Sequence, residues 1–134
     1  MVIKSIQSYN WKGKTVLIVE DDPASIFFLT EILGLTGIKT IAVENGDDAL
    51  AICKNNKEID ILLMDMNLPT MDGFEATSRI KKINKKIPVI AQTAYALAED
   101  RERCIACGCD DFIAKPINTF ELLGKMDALL TKKK

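Results

Sequence analysis

Five short apolar runs, each followed by a turn and a longer segment with helical spacing, constrain the fold of this chain more than any other feature. The alternation begins at Lys14. The predicted strands are Thr15–Val19, Lys39–Val43, Ile59–Met64, Pro88–Gln92 and Asp111–Ala114. Strands that alternate with helices favour a parallel sheet covered on both faces, and the third run is apolar enough to be the central strand.

The predicted helix boundaries carry local signals that agree with this pattern. Asp22 precedes Pro23, which suits the N-cap and first position of a helix. Three further pairs place an acidic residue three positions after a capping side chain: Asn45 with Asp48, Asp72 with Glu75, and Asn118 with Glu121. Gly37 and Gly108 are predicted to end the first and fourth helices. The fold class predicted is α/β, a flavodoxin-like three-layer sandwich with a five-stranded parallel sheet in the order 2-1-3-4-5 and five helices.

The chain is predicted to contain one domain, residues 14–134, preceded by a linker or terminal segment, residues 1–13, whose Trp11 packs on the domain. A net charge of −1 gives no electrostatic reason to expect nucleic acid as a partner, and the lysines at 81–86 and 132–134 are interpreted as solvated. No apolar run approaches the roughly 20 residues of a bilayer span, and no signal peptide is recognisable. We therefore expect a cytoplasmic domain without membrane insertion.

The sequence contains no histidine, and this excludes several kinds of active site. Without histidine there is no Ser-His-Asp or Cys-His nucleophile and no two-histidine zinc helix. Four cysteines are present: Cys53, Cys104, Cys107 and Cys109. We interpret them as reduced thiols, three of them around a helix end and a strand start, with a thiol metal or redox site as the less favoured alternative. Any phosphate chemistry must then be carried by carboxylates.

Polar side chains follow four of the five predicted strands: Glu20 and Asp21 after the first, Asp65 after the third, Thr93 after the fourth and Lys115 after the fifth. Because parallel strands place their carboxyl ends at one edge of a sheet, these five side chains are expected to converge. Clustered carboxylates repel one another unless a cation holds them, and oxygen ligands favour Mg²⁺. The sequence therefore predicts a magnesium site in which Asp65 can act as a nucleophile toward a phosphoryl group.

Four stretches carry a resemblance to a known family: VLIVEDDP, ILLMDMNLPTMDGFEA, PVIAQTA and CDDFIAKPI. In order and spacing they resemble the receiver (CheY-like) domain of response regulators in two-component signalling. The resemblance extends from Thr15 to about Leu130. It implies the fold predicted above, and it implies that the chain accepts a phosphoryl group from a partner phosphohistidine. Such a domain catalyses its own phosphorylation and dephosphorylation and does not turn over an external substrate.

The resemblance assigns roles to matching residues. It implies a magnesium site formed by Glu20, Asp21, Asp65 and the backbone carbonyl of Asn67, with Asp21 a direct ligand and Glu20 acting mostly through water. Asp65 matches the phosphoacceptor, and it forms the implied catalytic set with Thr93 and Lys115.

A conformational switch is also implied by the resemblance. Thr93 matches the switch hydroxyl, and Phe112 matches the switch aromatic residue, which is often tyrosine in relatives. The Lys115–Pro116 peptide bond is expected to be cis. Phosphorylation is expected to change the surface formed by the fourth helix, the fifth strand and the fifth helix, and Tyr95 and Leu97 are expected to take part in that change.

The chain is most similar to receiver domains of hybrid sensor histidine kinases in four sequence stretches: WKGK before the first strand, VEDD, MDGFEAT and DDFIAKPI. A free-standing regulator is the alternative. The implied partner is a histidine kinase or a histidine phosphotransfer domain, expected to dock on Ile26, Phe27 and Pro116. A homodimer through the fourth helix, fifth strand and fifth helix is a further expectation.

Three other functions compete with this interpretation. A haloacid dehalogenase-type phosphatase needs a second aspartate two residues after the nucleophile, and Asn67 cannot protonate a leaving group. A flavodoxin that binds FMN needs a hydroxyl-rich phosphate loop after the first strand, where this chain has Glu20 and Asp21. A pseudo-receiver, which binds partners without phosphate, would lack one of Asp65, Thr93 and Lys115. The pseudo-receiver remains the alternative function.

Overall fold

A computed structural model describes residues 6–55, 58–68, 71–94 and 98–131 of the chain. Five parallel strands form one sheet in the order β2-β1-β3-β4-β5. They are β1 (Thr15–Val19), β2 (Lys39–Val43), β3 (Ile61–Asp65), β4 (Val89–Thr93) and β5 (Asp111–Ala114). The predicted sandwich and strand order are confirmed.

Five helices occur in the described residues: α1 (Pro23–Gly34), α2 (Gly46–Asn55), α3 (Gly73–Ile83), α4 (Ala98–Cys107) and α5 (Thr119–Leu130). In this part of the chain, none has the length and apolar character needed to cross a membrane. The predicted caps of α2, α3 and α5 are confirmed. The side-chain oxygens of Asn45, Asp72 and Asn118 each accept a hydrogen bond from the backbone N–H three residues on, at 2.8, 2.9 and 2.9 Å.

The start of α1 differs from the predicted cap. Asp22 has extended backbone and precedes Pro23, as expected, but its carboxylate does not cap the helix. It accepts a hydrogen bond from the Ser25 hydroxyl at 2.8 Å. This hydroxyl is the main reason why the pKa of Asp22 is lowered.

The third strand begins two residues later and ends one residue later than predicted. At its start, Asp60 stands just before the strand and bonds to Thr15 twice: its N–H donates to the Thr15 carbonyl at 2.9 Å, and its carboxylate accepts from the Thr15 N–H at 2.8 Å. At its end, Asp65 is still paired with Gln92 of β4. Asp65 is therefore the last residue of a strand and not the first residue of a loop.

The fourth strand is also shifted by one residue. Pro88 has no N–H to contribute and stands just before the strand, although its carbonyl accepts from the Leu62 N–H at 3.0 Å. At the other end Thr93 pairs with Ala114 of β5. Thr93, like Asp65, is held in the sheet by its backbone.

Successive side chains of each strand point to opposite faces of the sheet, and this divides the core into two halves. One half packs against α2, α3 and α4 and includes Leu17, Val19, Leu62, Met64, Val89 and Ala91. The other packs against α1 and α5 and includes Val16, Ile18, Ile61, Leu63, Ile90 and Ile113. The apolar side of α5 faces this second half, where Leu122, Leu123 and Met126 are buried.

The segment before β1, residues 1–13, is called the lead-in below. Its described part, residues 6–13, lies against the α1 and α5 side of the domain. Ile6 and Trp11 are buried in that half of the core, which confirms the expected packing of Trp11. The Trp11 indole N–H donates to Asp127 of α5 at 3.0 Å, and its backbone N–H donates to the Thr36 carbonyl at 2.8 Å. A domain start at residue 14 stays a prediction.

One lysine in the stretch 81–86 does not fit the prediction of solvated side chains. The ammonium of Lys81 lies 2.8 Å from the Asp110 carboxylate and 2.7 Å from the Ile87 carbonyl, and only 15% of its side chain is exposed. The same Asp110 carboxylate accepts from the Val89 N–H at 2.8 Å. Lys81 therefore ties α3 to the amino-terminal edge of the sheet.

Candidate functional site

Three carboxylates meet at the carboxyl edge of the sheet. Glu20 and Asp21 follow β1, and Asp65 ends the neighbouring strand β3. Each offers an oxygen atom within 4.8 Å of the others. Glu20 and Asp65 are buried and Asp21 is exposed, so the cluster forms a cleft that opens to solvent on the Asp21 side.

Lys115 places a positive charge in this cleft. It follows β5, and its N–H donates to the Thr93 carbonyl at 2.8 Å. Its ammonium lies 3.1 Å from Glu20 Oε1 and 3.4 Å from Asp65 Oδ1. Burial opposes its charged form, but the charge of Asp65 and the bond to Glu20 outweigh burial and raise the pKa of Lys115. The lysine therefore stays protonated between the two carboxylates. The expected cis bond between Lys115 and Pro116 is present.

Glu20 is the most enclosed carboxylate of the cleft, with no exposed surface. Burial raises its pKa, and the neighbouring charge of Asp65 acts in the same direction. The Asp22 N–H, which donates to Glu20 Oε2 at 3.1 Å, and the Lys115 ammonium only partly oppose this rise. The environment of Glu20 is thus short of positive charge, as expected of a site that accepts a cation.

Asp65 is oriented by the backbone that follows it. Its Oδ1 accepts a hydrogen bond from the Asn67 N–H at 3.0 Å, and the Asn67 residue itself is exposed beside the cleft. Thr93 is buried at the end of the adjacent strand β4. The cleft thus brings together the carboxylates of Glu20, Asp21 and Asp65, and Lys115 contacts Glu20 and Asp65. Asn67 bonds to Asp65 through its N–H, and Thr93 ends the strand beside Asp65.

Gly73 also forms the site, although the sequence motifs did not single it out. A Cβ atom at Gly73 would collide with the carbonyl oxygen of Asp65 and would lie 2.6 Å from Met66 Cα. The Gly73 N–H donates to the Met66 carbonyl at 3.2 Å. The start of α3 therefore packs directly on the backbone that carries Asp65. The glycine in the MDGFEA stretch was the available signal, since glycine marks close backbone approach.

The predicted switch aromatic, Phe112, lies on β5 away from the carboxylates and is half-buried. Arg101 of α4 and Lys125 of α5 lie over its ring, with charged atoms 4.9 and 5.5 Å from the centroid. Phe112 thus joins α4, β5 and α5 in one surface. Tyr95 and Leu97, which were expected there, lie outside the described residues.

The predicted docking residues stand beside the cleft. Phe27 is 68% exposed, Ile26 is half-buried and Pro116 is exposed. A groove of about 430 Å³ runs between α1 and the residues after β5, lined by Ala24, Ser25, Phe28, Leu29, Lys115, Pro116 and Ile117. Phe28, 40% exposed, was missed because helical periodicity alone did not separate it from its buried neighbours.

Comparison with known proteins agrees with this geometry. Residues 16–127 match the response regulator receiver domain family. The sensor histidine kinase RcsC of Escherichia coli is 40% identical over 102 residues, which cover 76% of this chain and 11% of that protein. The polar-differentiation response regulator DivK of Brucella anthropi is 37% identical over 107 residues, which cover 78% of this chain and 86% of that protein.

A solved structure shows the same fold. It is the receiver domain of a sensor histidine kinase from Pseudomonas aeruginosa, with a magnesium ion coordinated in its active site cleft. The two chains are 33% identical with a TM-score of 0.83, over 90% of this chain and 99% of that one. The chain belongs to the response regulator receiver domain family and is a receiver domain of two-component signalling. It spans only about a tenth of the length of RcsC.

Proposed function

We propose that this receiver accepts a phosphoryl group on Asp65 from a phosphohistidine of a histidine kinase or histidine phosphotransfer domain. The observation that carries the proposal is the position of Asp65, whose Oδ1 is held by the Asn67 N–H while the Lys115 ammonium lies 3.4 Å away. One carboxylate oxygen is thereby oriented by fixed donors. The carboxylate is the nucleophilic form of an aspartate.

In the proposed transfer, an oxygen of Asp65 bonds to phosphorus while the phosphorus–nitrogen bond to the partner imidazole breaks. The bonding electron pair leaves with the imidazole nitrogen. Lys115 stabilises the negative charge on the phosphoryl oxygens, and the Thr93 hydroxyl donates a hydrogen bond to one of them. Glu20 holds Lys115 in place through its 3.1 Å contact.

The donor set fits a magnesium ion. Glu20, Asp21 and Asp65 supply carboxylate oxygens within 4.8 Å of one another, and the carbonyl of Asn67 is the expected further ligand. When bound, Mg²⁺ would supply positive charge against the oxygens of the transferring group. The magnesium reported in the Pseudomonas aeruginosa receiver supports this assignment.

The first test is the intact mass of the chain after incubation with Mg²⁺ and acetyl phosphate or phosphoramidate. We expect the mass of one added phosphoryl group, absent from Asp65→Asn. Asp47→Asn is the matched control, because Asp47 is an exposed aspartate in the first turn of α2, outside the cleft. It should be labelled like the wild type.

Labelling that persists in Asp65→Asn would contradict the assignment of the acceptor. If no adduct forms with either donor although titration shows that Mg²⁺ binds, the phosphate-independent pseudo-receiver becomes the better interpretation.

The exposed α1 face is the proposed docking surface for the partner. Phe27 and the half-buried Ile26 lie on it, and the groove lined by Phe28 and Pro116 adjoins it. A large exposed apolar side chain beside the cleft suits the apolar seam of a helical histidine domain. Docking there would bring a phosphohistidine to Asp65.

Phe27→Ala is expected to slow phosphoryl transfer from the partner domain about tenfold, while labelling by acetyl phosphate stays at the wild-type rate. Ile105→Ala is the matched control, because Ile105 is also 68% exposed but lies on α4. The proposal that α1 is the docking surface would be wrong if both variants slowed phosphoryl transfer equally, or if Phe27→Ala lost labelling by acetyl phosphate.

The proposed output is a change in the surface formed by α4, β5 and α5. Thr93 would move toward the phosphoryl group and Phe112 would follow, which changes the contacts of Phe112 with Arg101 and Lys125. A homodimer through this surface is part of the proposal. Sedimentation of phosphorylated wild type and Ile105→Asp would test it, because a charge there should prevent dimerisation.

We further propose that this receiver acts in the cytoplasm and is of the hybrid sensor kinase type. The four free cysteines are typical of a reducing compartment. The match to part of RcsC supports the hybrid type, and the match to most of DivK supports a free-standing regulator as the alternative.

A further inference from the structure

Two thiols face each other at the amino-terminal edge of the sheet, far from the acidic cleft. Cys107 ends α4 and Cys109 precedes β5, and their sulfur atoms are 3.6 Å apart. Both side chains are half-buried, so solvent reaches the pair. The receiver function described above uses neither residue.

The backbone between the two cysteines is folded back on itself. Gly108 has a φ of +104°, in the left-handed region that favours glycine. The Gly108 N–H donates to the Ile105 carbonyl at 3.1 Å, and the Cys109 N–H donates to the Cys104 carbonyl at 2.9 Å. These two bonds close the last turn of α4 and hold the thiols side by side.

The two thiols are chemically unequal. The hydrogen bond with Cys109 lowers the pKa of Cys107 to about 7, although burial acts in the opposite direction. The same bond and burial raise the pKa of Cys109. Burial also raises the pKa of Cys104, and it raises that of Cys53 to about 11. Cys107 is thus the thiol with the largest thiolate fraction at neutral pH, and Cys109 is the protonated neighbour.

We propose that Cys107 and Cys109 form a reversible dithiol–disulfide pair that is oxidised by a low-molecular-weight disulfide such as glutathione disulfide. The sulfur atoms need to approach from 3.6 Å to the disulfide bond length of about 2.0 Å. A Cys107–Cys109 disulfide would close a short ring. Gly108, which lies between the two cysteines, has no β-carbon to crowd that ring. The approach requires movement only within the turn that carries the two cysteines.

The reaction balances in two steps. The Cys107 thiol gives up its proton, and its thiolate attacks one sulfur of glutathione disulfide, which forms a mixed disulfide and releases one glutathione thiolate that takes up a proton. The Cys109 sulfur then loses its proton and attacks the Cys107 sulfur, and the second glutathione leaves as a thiolate that takes up a proton. The pair loses two electrons and two protons, and one glutathione disulfide becomes two glutathione molecules.

The pair adjoins the surface that carries Phe112. Cys109 lines a groove of about 220 Å³ between α4 and β5, together with Arg101, Cys104, Ile105, Asp110, Asp111 and Phe112. Asp110 is fixed by its bonds to Lys81 and the Val89 N–H. Movement on oxidation therefore falls on the last turn of α4 and not on β5. Disulfide formation would thus alter the output surface without touching the acidic cleft.

The test uses the whole chain in glutathione buffers of increasing oxidised fraction, quenched with iodoacetamide and analysed by intact mass and peptide mapping. We expect two thiols to be lost together, without bound glutathione, and a Cys107–Cys109 link in the peptide map. Cys109→Ser is expected to accumulate a mixed disulfide on Cys107. In Cys107→Ser the remaining thiols should stay reduced and be alkylated, and Cys53→Ser should form the same link as the wild type.

A link from Cys104 to either neighbour, or four alkylated thiols in the most oxidised buffer, would overturn the proposal. Equal glutathionylation of Cys107→Ser and Cys109→Ser would also overturn it. Hydrogen exchange gives an independent reading. Oxidation should speed exchange of the Gly108 and Cys109 amides relative to those of β1, and unchanged protection would contradict movement of α4.

Discussion

The two edges of the sheet carry acidic side chains in different arrangements. At the amino-terminal edge, the carboxylates of Asp60 and Asp110 accept the backbone N–H of Thr15 and Val89, each at 2.8 Å. At the carboxyl edge, Asp65 lies within 4.8 Å of the carboxylates of Glu20 and Asp21. Aspartates accept backbone donors at both edges, since Asp65 accepts the Asn67 N–H, but at the carboxyl edge the carboxylates also crowd together.

This difference separates stability from function within one sheet. An aspartate that bonds a buried strand N–H stabilises the fold, because that donor would otherwise lack a partner. Carboxylates that share one lysine repel each other, and burial, together with the charge of Asp65, raises the pKa of Glu20. The carboxyl edge therefore retains charge that the fold alone does not need.

The largest destabilisation is expected from a variant that adds a methyl group next to the backbone of Asp65. Gly73→Ala places a methyl group against the carbonyl of Asp65 and 2.6 Å from Met66 Cα, so the backbone must shift. We expect a loss of about 3 kcal/mol or more in the free energy of unfolding, measured by urea denaturation.

Gly124→Ala is the matched control for this variant. Gly124 lies in α5, and a methyl group added there would have nothing within 4 Å, so alanine should stabilise the helix by about 0.5 kcal/mol. A Gly73→Ala protein as stable as wild type would show that α3 does not fix the backbone of Asp65.

At the amino-terminal edge, Asp110→Ala is expected to lower the free energy of unfolding by about 2 kcal/mol. The change leaves the buried Val89 N–H without its acceptor and removes the ion pair of Lys81, which keeps only backbone acceptors. Urea denaturation at pH 7 measures the loss. A change below about 0.5 kcal/mol would mean that this edge does not rely on its aspartates.

The smallest expected change in the free energy of unfolding is a stabilisation. Glu20→Gln is expected to stabilise the protein by about 1 kcal/mol at pH 7 in the presence of EDTA, because a neutral group replaces a buried carboxylate. The pKa of Glu20 is raised, so its contribution to stability is lost as pH rises through its folded pKa. The advantage of the Glu20→Gln variant should therefore shrink as pH falls through the raised folded pKa of Glu20, because the wild-type carboxyl group then becomes protonated.

Asp60→Asn provides the comparison at the other edge. It weakens the acceptor for the Thr15 N–H and should destabilise the protein by about 1 kcal/mol at pH 7. If Glu20→Gln destabilises the protein as Asp60→Asn does, the contrast between the two edges is wrong.

Features encoded over a few residues were predictable from the sequence. Asn45, Asp72 and Asn118 cap helices because each bonds an amide three residues on, and such spacing is visible in the chain. The convergence of Asp65 and Lys115 followed from the geometry of parallel strands. Their position at the carboxyl edge follows from the parallel direction of the strands that they end or follow.

Features that depend on contacts between distant segments were not predictable. The ends of β3 and β4 depend on pairings such as Asp65 with Gln92, which the local pattern does not show. Lys81 was expected in solvent because nothing near it in sequence reveals Asp110, 29 residues away. The close approach of Gly73 to β3 is likewise a tertiary contact.

The buried indole of Trp11 has a practical consequence for spectroscopy. It is the single tryptophan of the chain, and it lies before β1 with its N–H bonded to Asp127. The acidic cleft is at the other end of β1, a strand of five residues that spans about 16 Å. Intrinsic fluorescence will therefore record whether the lead-in stays docked on α5 and when the domain unfolds. Metal or phosphoryl titrations of the cleft need a fluorophore placed elsewhere, and position 27 on α1 is a suitable one because its side chain is exposed.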